Sequence, residues 1–236
     1  EVLDRAQVVL ATLTSLDAPP LASRRFALAV VDEATQAVEP ALYLALLRAD
    51  RAVLAGDHLQ LPPTVLSAAA QAGGLGVSLF ERLVALHGET ARVSLAEQHR
   101  MNARIMAFPS EALYEGALRA HPAVADRALD AAPLEVVDTA GRGFEEETPE
   151  GSDSKQNAGE AELTAADVRR VLALGVAPGE VAVISPYDAQ VQRLRALLAE
   201  EVERGLEVDT VDGFQGREKE AVIVSLVRSN ESGEVG

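Results

Sequence analysis

No cysteine occurs among the 236 residues, which excludes disulfides, thiolate-bound zinc and thiol nucleophiles. Cations are scarce too: 21 Lys and Arg stand against 37 Asp and Glu, a net charge of −16. That balance excludes a general nucleic-acid-coating surface, because phosphate binding rests on clustered Lys and Arg. Any nucleic-acid contact must be local. Lysine appears only at Lys155 and Lys219, neither in a Gly-rich loop, and nowhere does the chain read GxxxxGK followed by Ser or Thr. Apolar runs are short of the roughly 20 residues that span a bilayer. The opening EVLDRAQ has neither the basic flank nor the apolar core of a signal peptide. A cytoplasmic protein without a membrane partner is therefore expected.

What is present is a chain 48% hydrophobic, enough for one large core or two modest ones. Residues 95–236 carry −13 of the −16. Strands are predicted at 8–12, 28–31, 51–56, 92–95, 134–139, 181–185, 207–211 and 221–227, and helices at 78–87, 102–114, 160–174 and 187–203. In the last, Val191, Leu194, Leu197 and Leu198 recur along one face. Short apolar strands interleaved with helices imply an α/β fold, with parallel sheets covered by helices on both faces. Residues 145–159, EEETPEGSDSKQNAG, predict an exposed, mobile loop whose acids are solvated. It ends at an Asn157 N-cap that Glu160 completes as a capping box.

Two strand ends carry the candidate chemistry. VVDEATQ sets Asp32 and Glu33 directly after a β-branched run, and ligands of parallel α/β sheets bind beyond the carboxyl ends of strands. One acid there can hold Mg²⁺ while the other accepts a proton from a nucleophile. Taken by itself, the pair also fits a surface turn or a helix N-terminus that favours acids. About two dozen residues on, RAVLAG runs into GDHLQLPPTV. Gly56 there allows an unusual backbone, Gln60 offers an amide that could sense a phosphate or orient a water, and Pro62 and Pro63 stiffen the next few residues. Gly-Asp and Pro-Pro are also ordinary loop punctuation.

VVDEATQ, GDHLQLPPTV, LAEQHRMN (95–102), VISPYDAQ (183–190) and TVDGFQGREKEAVIVSLVRSN (210–230), in this order, resemble superfamily 1 helicases of the group containing the up-frameshift RNA helicase and the immunoglobulin mu-binding protein helicase. The resemblance implies parts of two RecA-like (P-loop NTPase) domains, 1–90 and 91–236, with ATP in the cleft between them. It implies Asp32 as the Mg²⁺ ligand, Glu33 as the base for the hydrolytic water, Gln60 as the γ-phosphate sensor and Arg100 as an arginine finger. Gly216, Arg217 and Glu218 would contact the nucleotide. Thr12, Pro63, Thr64 and Thr210 would touch the nucleic-acid strand. The family usually has Tyr where this chain has His99, whose imidazole stacks on adenine over less area. His99 as a metal ligand is disfavoured, since no second His or carboxylate has ligand spacing in the nearby sequence.

The missing phosphate loop, and an end at NESGEVG before the family's second catalytic arginine, lead to the expectation of an internal fragment that hydrolyses ATP negligibly by itself. The expected parent is a monomeric ATP-dependent helicase moving 5′ to 3′ on single-stranded DNA or RNA, the remainder of the parent chain being this segment's partner. Two alternatives remain: a non-catalytic nucleic-acid or protein-binding module, and an Mg²⁺-dependent carboxylate hydrolase built on Asp32, Glu33 and Asp57.

Overall fold

A computed structural model describes residues 2–230, and it divides into two compact units, Glu1–Leu95 and Ala96–Gly236. Residues 231–236 of the closing NESGEVG lie outside the described residues. No helix among the described residues is long and apolar enough to cross a membrane.

The first unit is organised by two three-residue parallel strands, β1 (Ala29–Val31) and β2 (Ala52–Leu54), in the register Val31↔Leu54. Helices α1 (Glu39–Leu46) and α2 (Leu79–His87) accompany them. Pro40 at the start of α1 costs nothing there, since the first helical N–H groups have no partner to lose. Ser78 caps α2 by accepting the Glu81 N–H at 3.1 Å. The core is small: Val31, Ala34, Leu42, Ala45 and Leu79 are buried, with Leu54, Phe80 and Leu83 packed beside them.

The second unit begins with β3 (Glu97–Gln98), helix α3 (Ala103–Leu113) and β4 (Arg119–Ala120), the two strands parallel. A hairpin of β5 (Glu146–Glu147) and β6 (Gln156–Asn157) leads into helix α4 (Ala158–Ala173). Then come β7 (Val181–Ser185), helices α5 (Asp188–Leu197) and α6 (Ala199–Glu203), β8 (Glu207–Thr210) and β9 (Ala221–Val224). These last strands form a parallel sheet in the order β8-β7-β9. α4 turns Ala161, Thr164, Ala165, Val168 and Val171 inward at helical spacing, and α5 answers with Gln190, Val191 and Leu194.

Several sequence expectations are corrected. No strand forms at 8–12, 92–95 or 134–139, where Val8, Leu10, Val93, Leu95 and Val136 are exposed. An apolar run becomes a strand only where a neighbour satisfies its backbone groups. The helix expected over 187–203 breaks at Leu198, which leaves helical geometry (φ −114°, ψ 28°) with its side chain fully buried. Covering on both faces fails at β9: Ala221 and Ile223 meet the core, whereas Val222 and Val224 are 46% and 55% exposed. Residues 145–159 are a solvated loop only in part: Glu145, Glu147, Glu150 and Asp153 are exposed as expected. The same residues include an antiparallel hairpin whose Glu146 side chain is only 9% exposed.

Candidate functional site

In the first unit the candidate acids follow β1 directly. Glu33 adopts φ +51°, a conformation that costs energy for a residue with a Cβ and persists only where its surroundings enforce it. Four hydrogen bonds do so. Asp32 Oδ1 accepts the Glu33 N–H at 3.0 Å, the Gln36 amide donates to Glu33 Oε2 at 2.7 Å, Gln36 N–H donates to the Glu33 carbonyl at 3.0 Å, and Ala34 N–H donates to the Ala55 carbonyl at 2.8 Å. Both carboxylates remain exposed. They are aimed by strain and by each other rather than by burial.

The end of β2 lies alongside. Gly56 is not in the positive-φ region, so the reason expected for a glycine here is corrected: a Cβ would stand 3.0–3.2 Å from the buried Thr35. The glycine permits close approach of the two strand ends. Beyond it Asp57 organises the turn, accepting the Leu59 N–H at 3.0 Å and the Gln60 amide at 2.8 Å. Asp32, Glu33 and the Asp57–Gln60 turn therefore leave adjacent, register-paired strands. Of the residues expected at the strand of nucleic acid, Thr12 and Thr64 are exposed and Pro63 is buried. Thr12 Oγ1 lies 2.7 Å from Ser15 Oγ.

In the second unit Gln98 shapes the loop after β3. Its Oε1 accepts the Arg100 and Met101 N–H groups at 2.8 and 2.7 Å, and its amide donates to the Met101 carbonyl at 2.7 Å. Arg100 Nε donates to Glu218 Oε2 at 2.7 Å, joining two candidate residues 118 positions apart. Arg217 donates to Glu207 at 2.9 Å, and Lys219 sits 2.7 Å from the same carboxylate. The Lys219 ammonium, then the Arg217 guanidinium, hold Glu207 below the usual carboxylate range. Gly216 takes φ +78°, open to glycine at no steric cost. Thr210 Oγ1 accepts the Gly213 N–H at 3.1 Å and so caps the turn Val211–Phe214.

Behind these loops lies a buried polar network that the sequence did not disclose. Gln190 accepts the Asn157 N–H at 2.9 Å and donates to Ser225 Oγ at 2.9 Å. Ser225 in turn donates to Glu160 at 2.7 Å. Asn157 caps α4 as expected, accepting the Glu160 N–H at 3.0 Å, but Glu160 does not close the capping box. Its two oxygens accept the Val227 N–H at 3.0 and 3.1 Å instead. Val227 is fully buried at φ +71°, a rare conformation for a β-branched residue, and Asn157 also donates to its carbonyl at 3.2 Å. The next two residues are clamped by Glu146, which accepts from Arg228 Nε at 2.9 Å and the Ser229 N–H at 2.8 Å. Burial pushes the Glu146 pKa up, but hydrogen bonds from Lys155, Arg228, Ser229 and Asn230 outweigh it and hold the group at about 2.

His99 stacks on His121 with ring centroids 4.2 Å apart and planes 23° from parallel, and its Nε2 lies 3.4 Å from Glu97 Oε1. The sequence argument against His99 as a metal ligand is therefore corrected. A second His, His121, stands beside it through strand pairing, and the carboxylate, Glu97, through its position two residues earlier on the same strand.

Two AAA domain models match the chain, one over residues 1–68 and one over residues 75–236. The chain is 46% identical to the DNA-binding protein SMUBP-2 of Mesocricetus auratus over 249 residues, covering 99% of this chain and 25% of that protein. It is 37% identical to the DNA polymerase alpha-associated DNA helicase A of Schizosaccharomyces pombe, over 100% of this chain and 37% of that protein. An uncharacterized ATP-dependent helicase of Methanocaldococcus jannaschii is also 37% identical, over 99% of this chain and 36% of its own length. The chain thus spans about a quarter to a third of the length of these curated relatives.

Proposed function

The chain belongs to the AAA domain family, and on that premise we propose that it is a part of an ATP-dependent helicase, one that supplies acids for nucleotide cleavage and contacts to a single nucleic-acid strand. The observation that carries this reading is the Asp32–Glu33 pair at the carboxyl end of a parallel strand, held in a strained backbone and left exposed. Strained residues of this kind cluster at ligand sites, and here, unlike at the buried Val227, the strained side chain is exposed. The names of the relatives, two of them helicases, support the same class of activity.

The residues fit a magnesium-bound nucleoside triphosphate. Hard carboxylate oxygens suit Mg²⁺, and Asp32 would hold it, oriented by the Glu33 N–H at its Oδ1. The bound nucleotide supplies an electrophilic phosphorus and a leaving diphosphate. Glu33 accepts the proton of the attacking water at a carboxylate oxygen, steadied by the Gln36 amide on Oε2. The Gln60 amide orients toward the terminal phosphate, positioned by Asp57. Arg100 offers a permanently charged planar donor to the transferring group, exchanging its exposed partner Glu218, which the nucleotide also engages. His99 stacks on the base. Thr12, Thr64 and Thr210 offer hydroxyls to the sugar-phosphate strand, a way for an acidic chain to hold a polyanion without a lysine cluster. The two units are read as portions of RecA-like domains, and the protein as a cytoplasmic monomer.

The test is phosphate release by the intact protein with ATP, with and without single-stranded DNA and RNA. Nucleic-acid-stimulated turnover is the expected result. ATP turnover indifferent to either strand contradicts the helicase reading.

A further inference from the structure

β3 and β4 pair in parallel with Gln98 opposite Ala120, so the next residue on each, His99 and His121, leaves the sheet at the same level. Glu97 precedes His99 by two positions, and residues two apart on an extended strand share a face. The outcome is a trio of ligand-type side chains, Glu97, His99 and His121, whose ligand atoms all lie within 4.8 Å of one another. No other trio of His, Asp or Glu does this among the described residues, although two of the chain's four histidines are spent on it. We propose that Glu97, His99 and His121 bind a borderline divalent transition ion of the Zn²⁺ class, and that its binding withdraws His99 from the nucleotide base.

The donor set favours this class of ion. Two imidazoles and one carboxylate match a borderline-soft cation, whereas Mg²⁺ and Ca²⁺ prefer oxygen alone. Three protein ligands leave a fourth tetrahedral position for water. Ligand atoms bonded at about 2.1 Å to a tetrahedral ion stand about 3.4 Å apart, so the trio has to draw in from its present spread. The side chains that must move are the exposed ones: Glu97 and His99 lie on the surface, and His121 is half-buried. The stacked rings must also open into a wedge, because each ring lone pair lies in its own plane. His121 Nδ1 now accepts the Ala123 N–H at 3.2 Å. Ligation through Nε2 would make Nδ1 a donor and forfeit that bond, leaving the short turn Pro122–Ala125 without its side-chain cap.

The competition half of the proposal rests on the assignment of His99 to the base, so the experiment separates the two. Co²⁺ is titrated into the protein and followed by visible absorption, which reports a tetrahedral site without reference to nucleotide or turnover. The variants are His121→Asn, which keeps a side chain able to cap the turn, and Glu97→Gln. Saturable binding of one Co²⁺ per chain, weakened about tenfold or more in each variant, is expected, the loss typical even of residues that only support a ligand. Equal Co²⁺ affinity in the parent and His121→Asn overturns the site. Nucleotide affinity is then measured with and without Zn²⁺. A loss of affinity in the parent protein that His121→Asn abolishes is expected, the variant correcting for Zn²⁺ bound by the nucleotide itself. Nucleotide affinity indifferent to Zn²⁺, with Co²⁺ bound as expected, overturns the competition. Absence of nucleotide binding by the intact protein under every condition overturns the base assignment and not the metal site.

Discussion

The two units use polar side chains in opposite ways. Around β1 and β2 the first unit keeps them exposed or half-buried and mutually bonded, Asp32 to Glu33 to Gln36 and Asp57 to Gln60, over a core of five buried apolar residues. Around β7 to β9 the second unit buries Asn157, Gln190 and Ser225 and builds eleven buried apolar residues beside them. The strands differ accordingly: β7 is buried along nearly its whole length, whereas Val30 and Val53 of β1 and β2 are 66% and 51% exposed. Exposed polar groups stay available to a ligand and contribute little to stability. Buried ones, once satisfied, fix a single arrangement and are costly to break. On the proposed function the reactive acids sit in the first unit, and the second unit holds the larger buried core.

Arg100 crosses that division, a reactive candidate in the stable unit, and carries the largest expected effect. Arg100→Ala lowers kcat by about 10³- to 10⁵-fold, the range of arginine fingers, with no change in Tm because its bond to Glu218 is exposed. Arg100→Lys restores little, since an ammonium lacks the planar fork. Stopped-flow hydrolysis beside a thermal melt measures both, and a lowered Tm with kcat intact sends Arg100 to the structural side.

Within the second unit, Gln190→Ala leaves the Asn157 N–H and Ser225 Oγ without their buried partner and opens a cavity. Denaturant unfolding is expected to lose about 2–4 kcal/mol. Hydrogen exchange places that loss in α4, β7 and β9 and leaves β1 and β2 as they were. Gly56→Ala does the converse, pressing a methyl group on Thr35 in the first unit for about 1–2 kcal/mol. Exchange that changes equally in both units after either substitution breaks the comparison.

The smallest effect is one of pH. Glu146 is held at about 2 against its ordinary 4.5, so its contribution is complete above about pH 4.5 and is lost as pH falls through 2. Glu146→Gln lowers stability at neutral pH and flattens the acid limb over that window, as acid titration of the second unit's unfolding reads. An unchanged acid limb removes the clamp on Arg228 and Ser229.

These contrasts were legible in the sequence only in part. Short strand-like runs announced β1, β2, β7, β8 and β9, and Asn157 was recognisable as a cap because its partner is three residues away. The runs at 8–12, 92–95 and 134–139 look alike locally yet remain unpaired as strands, since pairing depends on neighbours that a local window does not contain. The acidic stretch around Glu146 reads as solvated because its partner Arg228 lies 82 positions on. Glu160 fits a capping box by spacing, but Val227, 67 positions away, takes its carboxylate. For His99 the decisive neighbour, His121, arrives through the Gln98↔Ala120 register. No spacing rule would have supplied it.

The claim that Asp32 and Glu33 are reactive rather than merely exposed is tested most directly by Glu33→Gln in the intact protein, with nucleotide affinity and kcat measured together. The amide keeps the size of the side chain but cannot accept the water's proton. Affinity unchanged with kcat lowered about 10²- to 10⁴-fold, the usual contribution of a general base, is the predicted result. A variant that hydrolyses ATP at the parent rate contradicts it.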